Sequence, residues 1–461
     1  MHEQDTICAI STPPGEGAIG IVRISGQDAI RIAQRVFRKK PSGSLEYLPS
    51  HTIHYGLVVD PAKEEILDEA LLSILRRPRT YTREDMVEIT CHGSPLLLTQ
   101  VVAILLKSGA RMADPGEFTR RAFLNGRIDL SQAEAVMDMI QSKTHASLKV
   151  ALGQLQGGLG KEIKAVLDQL LSILTPIEAN IDFSEEDLQV ISQADVEKNL
   201  METLTRMRKL LEGWERGQLL REGVAASIVG RPNVGKSSLF NTLLQQDRAI
   251  VDATPGTTRD VLEEWANIRG IAVKLIDTAG LRKTDDLVEQ EGVRRAKEAI
   301  ERSHLTLLVL DASLPLQDED RALMDFVEKK KKIIVLNKAD LAQRIQEEDI
   351  KKRFLGSSLV KISATKSVGL ECLQDMIRDE IFHGSVVIGE TPLLVSCRHH
   401  AAIEKAYEAV GRAISVIHTG MSSEFLALEI RSAMNHLGEV IGTTTTDDLL
   451  DRIFSQFCIG K

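Results

Sequence analysis

Gly230-Arg231-Pro232-Asn233-Val234-Gly235-Lys236-Ser237 is the stretch whose residue types and spacing most directly specify chemistry. In a G-x-x-x-x-G-K-S loop the glycines let backbone N–H groups turn inward on phosphate oxygens at a helix N-terminus. The lysine brings a point charge to the β/γ-phosphates, and the serine hydroxyl can ligate Mg²⁺. A strand-like AASIV precedes the loop, and a helical SLFNTLL beginning at Ser238 follows it. Three further stretches stand in the order such a site requires. Asp277-Thr278-Ala279-Gly280 ends the run VKLI, where the aspartate can order the Mg²⁺ shell and the glycine amide can meet a γ-phosphate. Asn337-Lys338-Ala339-Asp340 follows KIIVL, and the Asp340 carboxylate can accept both N1–H and the exocyclic amine of guanine, a donor pair that adenine lacks. Ser363-Ala364-Thr365 would complete the base pocket, while Thr257-Thr258-Arg259-Asp260, in a loop bounded by Pro255 and Gly256, offers a second hydroxyl to Mg²⁺. Together they imply GTP rather than ATP.

Leu281 follows DTAG, at the place where Ras-like proteins carry a glutamine that orients the attacking water. Leucine cannot position a water, so another group must. Asp285, Asp286, Glu289 and Glu291 crowd the next segment and could do so, although that segment reads more simply as a solvated acidic loop. Asn233 reads either as an amide ligand for a monovalent cation that replaces the charge of an arginine finger, or as a turn residue. The chain ends on Phe457-Cys458-Ile459-Gly460-Lys461, a thiol, a flexible residue and an ammonium at a position that is ordinarily frayed. The last four residues have the form of a prenylation box, but Gly460, Lys461 and the lack of a preceding polybasic run argue against it. Cys458 reads as a buried, inert cysteine or as a group carried to a site by the helix before it.

The elements that must position these groups follow from periodicity. Between residues 5 and 118, the runs TICAIST, IGIVRIS, HTIHYGLVV, LDEALLSIL and DMVEITC predict an α+β domain. From Ser131 the spacing is helical, with Glu134 three positions on as in a capping box, and it stays helical to about Arg221. Gly157-Gly158-Leu159-Gly160 has the form of a KH loop without the strands of one, and a helix break is the simpler reading. From Gly223 to about Ile381, β-branched runs alternate with helical ones, which predicts a doubly wound, mainly parallel sheet. After Thr391 the pattern is helical again, and Leu449, Leu450, Ile453, Phe454 and Phe457 fall on one face. The expected divisions are 1–118, 119–221, 222–381 and 382–461. The flanking helices form either one domain into which the α/β unit is inserted or two separate bundles.

Bulk properties restrict the partners. A chain of 461 residues with 43% hydrophobic and 27% charged content holds two to four soluble domains. A net charge near −9 excludes a surface coated in nucleic-acid-binding charge, and leaves a local strip such as Arg111, Arg120, Arg121 and Arg127 to meet phosphate. Five scattered cysteines without a C-x-x-C pair fit the cytosol better than a disulfide framework or zinc site, and neither a signal peptide nor a membrane span is expected.

TPPGEGAIGIVRISG at 12–26, PGEFTRRAFLNGRIDLSQAEA at 115–135, GTTRD at 256–260 and the terminal FCIGK closely resemble the bacterial tRNA-modification GTPases of the MnmE (TrmE) family over essentially the full length. The resemblance implies a folate-binding, dimerising N-terminal domain, a helical domain and an inserted Ras-like GTPase domain. It also implies a tetrahydrofolate derivative such as 5-formyltetrahydrofolate, held by Arg23, Glu88, Arg127 and Lys461, with Cys458 at the chemistry. Carboxylate and cation types suit pterin donors and the anionic tail respectively. In the GTPase part it implies GTP contacts from Asn233 to Ser238, from Asp252, Ala253, Thr254, Pro255, Gly256, Thr257 and Thr258, and from the later motifs. K⁺ would lie at Asn233, Asp252, Thr254 and Thr257, Mg²⁺ at Ser237 and Thr258, and hydrolysis would be assigned to Glu289 through a bridging water. G domains would pair across their nucleotide faces, and an FAD- and NADH-using MnmG partner would share modification of C5 of the wobble uridine of certain tRNAs. A regulatory switch of the ribosome-assembly type, with the other regions as interaction modules, is the competing reading.

Overall fold

In GAIGIVRIS and MVEITCHG alternate residues are apolar, and both runs are strands in the computed structural model, which describes residues 5–182, 192–247, 262–277, 298–382 and 394–461. In chain order the first elements are β1 (Ile7–Ile10), β2 (Gly17–Ser25), α1 (Ala29–Val36), β3 (Phe37–Lys39), β4 (Thr52–Asp60), β5 (Glu65–Leu75), β6 (Met86–Gly93), α2 (Pro95–Lys107) and β7 (Arg111–Met112). They make a seven-stranded sheet of order β3-β4-β5-β6-β2-β1-β7, antiparallel except where β7 joins β1. Val22, Ile24, Leu72, Ile74, Val87 and Ile89 bury one face against Ala29, Ile32, Val101 and Leu105 of the two helices. The period-2 rule sends Arg23 and Glu88, partners in the β2–β6 register, to the other face. The α+β expectation holds. β3 and β7, three and two residues long, were too short to show a period.

Helices follow: α3 (Glu117–Leu124), α4 (Leu130–Gln141), α5 (His145–Leu155), α6 (Gly158–Asp182), α7 (Gln193–Glu212) and α8 (Trp214–Glu222). The expected cap at Ser131 is corrected to Asp129. Its Oδ1 accepts from Gln132 N at 2.9 Å, and Gln132 Oε1 accepts from Asp129 N at 3.0 Å, a reciprocal box two residues earlier. Ser131 Oγ instead donates to Asp129 at 2.6 Å. The helix also stops at Gln141 and restarts after Thr144, whose hydroxyl accepts from Ser147 N at 3.1 Å. Gly157, at φ +80°, separates α5 from α6, so the glycine cluster is a helix break flanked by helices.

The second sheet is built from β8 (Val224–Val229), β9 (Leu262–Ile268), β10 (Ile271–Asp277), β11 (Leu305–Asp311), β12 (Lys332–Asn337) and β13 (Ser358–Lys361), with α9 (Lys236–Asp247), α10 (Asp318–Phe326), α11 (Glu347–Arg353) and α12 (Leu370–Phe382) between strands. Its order is β13-β12-β11-β8-β10-β9. Every pair is parallel except β9–β10. LTLLVLD and KIIVLN are buried at every residue, as strands covered on both faces must be. Leu307, Val309, Ile333 and Val335 face one core, and Leu308, Leu310, Ile334 and Leu336 face the other. The antiparallel β9 was not foreseen. LEEWANI carries adjacent glutamates, and its hairpin turn, Arg269 at φ +52° and Gly270 at +89°, has the two positive angles of a primed turn.

The chain closes with α13 (Cys397–Thr419), α14 (Ser423–Ile441) and α15 (Asp447–Phe454). By compactness it falls into two units, Met1–Met137 with Leu155–Leu188 and Ser422–Lys461, and Asp138–Gln154 with Gln189–Met421. In the first unit α14 packs on α6, and in the second α13 packs on α7 while Ala146 and Val150 of α5 pack against the core of the second sheet. Among the described residues no helix is long and apolar enough to cross a membrane.

Candidate functional site

Parallel strands end on one edge of their sheet, and that edge is where ligands of doubly wound folds bind. The loop from Gly230 joins β8 to α9 there. Asn233 (φ +63°) and Gly235 (φ +99°) take the left-handed backbone that turns successive N–H groups to one side. A Cβ on Gly235 would run into the Asn337 amide, so this position requires glycine for both shape and space. The Asn337 amide is buried: its nitrogen donates to Val234 O at 2.8 Å and its oxygen accepts from Ala364 N at 3.1 Å. Asn337 therefore ties the phosphate loop to the 363–365 loop. Lys236 is 7% exposed, and its ammonium donates to Gly230 O at 2.7 Å and Arg231 O at 2.8 Å. Val234 is buried, while Ser237 and Ser238 are exposed in the first turn of α9.

The base-reading segment is braced by ion pairs. Lys338 (φ +61°) meets Asp311 at 2.6 Å. Burial alone would raise the Asp311 carboxyl, but hydrogen bonds from Lys338 and Ser313 hold it below the usual range. The Asp340 carboxylate is held low chiefly by the Ser363 hydroxyl, with Lys366 at 3.3 Å adding to it. Ser363 Oγ also lies 3.4 Å from the Thr365 hydroxyl. Sequence reasoning missed Asp311, and also the Arg231–Asp320 pair at 3.1 Å that fastens the phosphate loop to α10. Asp252, Ala253, Thr254, Pro255, Gly256, Thr257, Thr258, Thr278, Ala279, Gly280, Leu281, Asp285, Asp286, Glu289 and Glu291 lie outside the described residues. Asp277 is placed by its backbone alone, at the end of β10.

A second cluster forms in the first unit from residues more than 400 positions apart. Arg23 Nε donates to Glu88 Oε1 at 2.9 Å, with a second guanidinium nitrogen at 2.8 Å. Arg23 Nη1 and Ser11 Oγ each donate to Gly460 O at 3.3 Å, and Gly116 N donates to Cys458 O at 3.4 Å. Gly460 (φ +94°) sits against the Ile10 carbonyl, where a Cβ has no room. Each of these hydrogen bonds is worth about 1 kcal/mol net, whereas burial of Phe454 and Phe457 against Leu130 is worth about 2–3 kcal/mol per ring. The rings are thus the main anchor of the tail, and the polar contacts set its direction.

Tyr81 and Phe118 complete this cluster, and neither was anticipated. The Arg23 guanidinium lies 5.7 Å from the Tyr81 ring and 5.6 Å from that of Phe118. Arg127 stacks on Tyr81 at 4.6 Å. Cys458 is an exposed free thiol, which overturns its reading as a buried cysteine, and Lys461 beside it is half-buried. The expected basic strip is also corrected. Arg111 pairs with Asp5 and Glu117, Arg121 with Asp5, Glu117 and Glu84, and Arg120 with Asp451, so these three charges are spent within the fold.

A phosphate loop, an Asn-x-x-Asp turn and a hydroxyl-bearing loop on one edge of a doubly wound sheet define a guanine-nucleotide-binding P-loop GTPase. The family model "MnmE helical domain" matches residues 130–458, and "GTP-binding protein TrmE N-terminus" matches 6–127. The tRNA modification GTPase MnmE of Thermoanaerobacter pseudethanolicus is 44% identical over 457 residues, 99% of each chain. That of Geobacillus kaustophilus is 45% identical over 462 residues, covering 100% of each. The chain belongs to the MnmE family of tRNA modification GTPases. Among solved structures, the G domain of the T. maritima FeoB iron transporter is 26% identical, covering 34% of this chain and 98% of that one with a TM-score of 0.27. Era in complex with MgGDPNP and 16S ribosomal RNA nucleotides is 28% identical, covering 40% and 66% with a TM-score of 0.29.

Proposed function

We propose that this GTPase modifies C5 of the wobble uridine of certain tRNAs, adding an aminomethyl or carboxymethylaminomethyl group together with an FAD-dependent partner of the MnmG type. The observation that carries the reading is the seating of the Gly460 carbonyl on Arg23, whose guanidinium also holds Glu88. A tail fastened at that point keeps an exposed thiol and a terminal lysine beside a carboxylate, two arginines and two aromatic rings. This donor set suits a folate: Glu88 accepts from the pterin, and Arg23, Arg127 and Lys461 face the anionic tail. A bound tetrahydrofolate, such as 5-formyltetrahydrofolate, supplies the one-carbon unit.

In the second unit Asp340 reads guanine, and Lys236 exchanges the carbonyls of Gly230 and Arg231 for phosphate oxygens. Ser237 and Thr258 hold Mg²⁺, and Asn233 with Asp252, Thr254 and Thr257 holds K⁺. Glu289 orients the attacking water. The protein acts in the cytoplasm as a homodimer through its N-terminal domain, with transient pairing of G domains and a heterotetramer with its flavoprotein partner.

The test is a calorimetric titration of 5-formyltetrahydrofolate, with GTP turnover and mass spectrometry of tRNA nucleosides measured alongside. Arg23→Ala and Glu88→Ala are expected to weaken folate binding at least about tenfold at unchanged GTP turnover. Cys458→Ser and Gly460→Ala are expected to abolish the modification with hydrolysis intact. A ribosome-assembly switch would show neither effect, and that result would overturn the reading.

A further inference from the structure

The sheet edge opposite the nucleotide loops carries two basic tracts 20 residues apart in sequence. Lys329-Lys330-Lys331 precede β12, and Lys351-Lys352-Arg353 end α11 before β13. One buried ring, Phe354, is met by Lys332, which follows the first tract, and by Arg353, which ends the second. Lys332 Nζ lies 4.9 Å from the centre of Phe354, and the Arg353 guanidinium lies 5.8 Å from it. Lys332 braces its own tract by donating to Glu328 O at 2.7 Å, so the three lysines before it point from a fixed turn.

Glu328 and Glu380 act on the buried Lys332, and two other nearby carboxylates are engaged elsewhere. Asp325 pairs with Arg353, and Glu347 pairs with Lys351 and Lys361. Lys329, Lys330, Lys331 and Lys352 are exposed, and no ion pair to them is formed among the described residues. The bases of α11 answer its C-terminal dipole. That account does not reach Lys329–Lys331, which belong to no helix.

In a chain of net charge −9 a polyanion is repelled overall and must be met locally. We infer that this edge, centred on Lys329, Lys330, Lys331 and Lys352, is where the GTPase unit grips the phosphate backbone of its RNA substrate. The inference rests on the tRNA reading above. A six-residue strand sets the patch about 20 Å from the phosphate loop, so the two ligands do not compete.

The experiment is fluorescence-anisotropy titration of a labelled tRNA transcript over a series of KCl concentrations, on the full chain. The triple variant Lys329→Ala/Lys330→Ala/Lys331→Ala should bind about tenfold more weakly near physiological salt. Its slope of log affinity against log salt should fall by about 2–3, while Lys→Arg at the same positions keeps both. GDP affinity and melting temperature, unchanged in the variant, report an intact fold. Equal affinity and slope in the alanine variant and the unmodified protein would overturn the patch and leave the tRNA reading standing, whereas an unmodified protein that binds no tRNA overturns both. Loss of binding to phosphatidylserine vesicles with tRNA affinity retained would make the edge a membrane surface and also overturn the inference.

Discussion

Asn337 uses one N–H of its amide on Val234 O and one acceptor site of its oxygen on Ala364 N, both inside the protein. Replacing it with alanine leaves a buried carbonyl and a buried N–H without partners, at about 1–3 kcal/mol each. The phosphate loop and the base loop then lose their common strut. Asn337→Ala is expected to lower the melting temperature and to weaken GDP binding at least about tenfold in a fluorescence titration, and undiminished affinity would count against the strut. Motif residues such as Lys236 and Asp340 could be read from the sequence because phosphate and guanine impose fixed types at fixed spacing. Their supports could not. The Val234 carbonyl is 103 residues from Asn337, and Tyr81 is 58 residues from the arginine above it, with no local period to betray either.

Elements were legible where a period had room to repeat. β4, β5 and the fully buried β11 and β12 were expected and found, whereas β9, an edge strand with two adjacent glutamates, lacked the pattern of a covered one. Junctions between elements were harder, because they are set by side-chain geometry. Glu117 at the start of α3 illustrates this: it accepts from Asp114 N at 2.8 Å and pairs with Arg111 at 2.7 Å and Arg121 at 2.8 Å, while almost fully buried. Burial by itself would raise its carboxyl, but the Arg111, Asp114 and Arg121 hydrogen bonds prevail and hold it below the usual range. A carboxyl lowered on folding stabilises the native state above its unfolded value of about 4.3, and this contribution is lost as pH falls through the lower folded value. Glu117→Gln is expected to cost about 3 kcal/mol at pH 7 by leaving two arginines short of charge. It should also flatten the fall of melting temperature on acidification below about pH 4.3, and an unaltered acid limb would refute this account.

At the scale of the whole molecule, each site is assembled from residues of one compact unit: the phosphate and base loops from the second, and Arg23, Glu88 and the terminal Cys458–Lys461 from the first. Such a division lets one site be switched while the other keeps its ligand. The proposed monovalent-cation role of Asn233, whose exposed amide stands in the phosphate loop at φ +63°, would make such a switch. A cation there would neutralise charge that develops as the phosphate bond breaks, an effect of the size of one oxyanion-hole donor, so at least about tenfold in rate. GTP turnover measured in KCl and in NaCl at matched ionic strength should therefore differ by that factor, and Asn233→Ala should remove the difference. Affinity for 5-formyltetrahydrofolate should be the same in both salts and in the variant, because the residues proposed to hold it lie in the other unit. Equal turnover in the two salts would dismiss Asn233 as a ligand. A parallel drop in folate affinity would instead show that the amide acts on the fold and not on the cation.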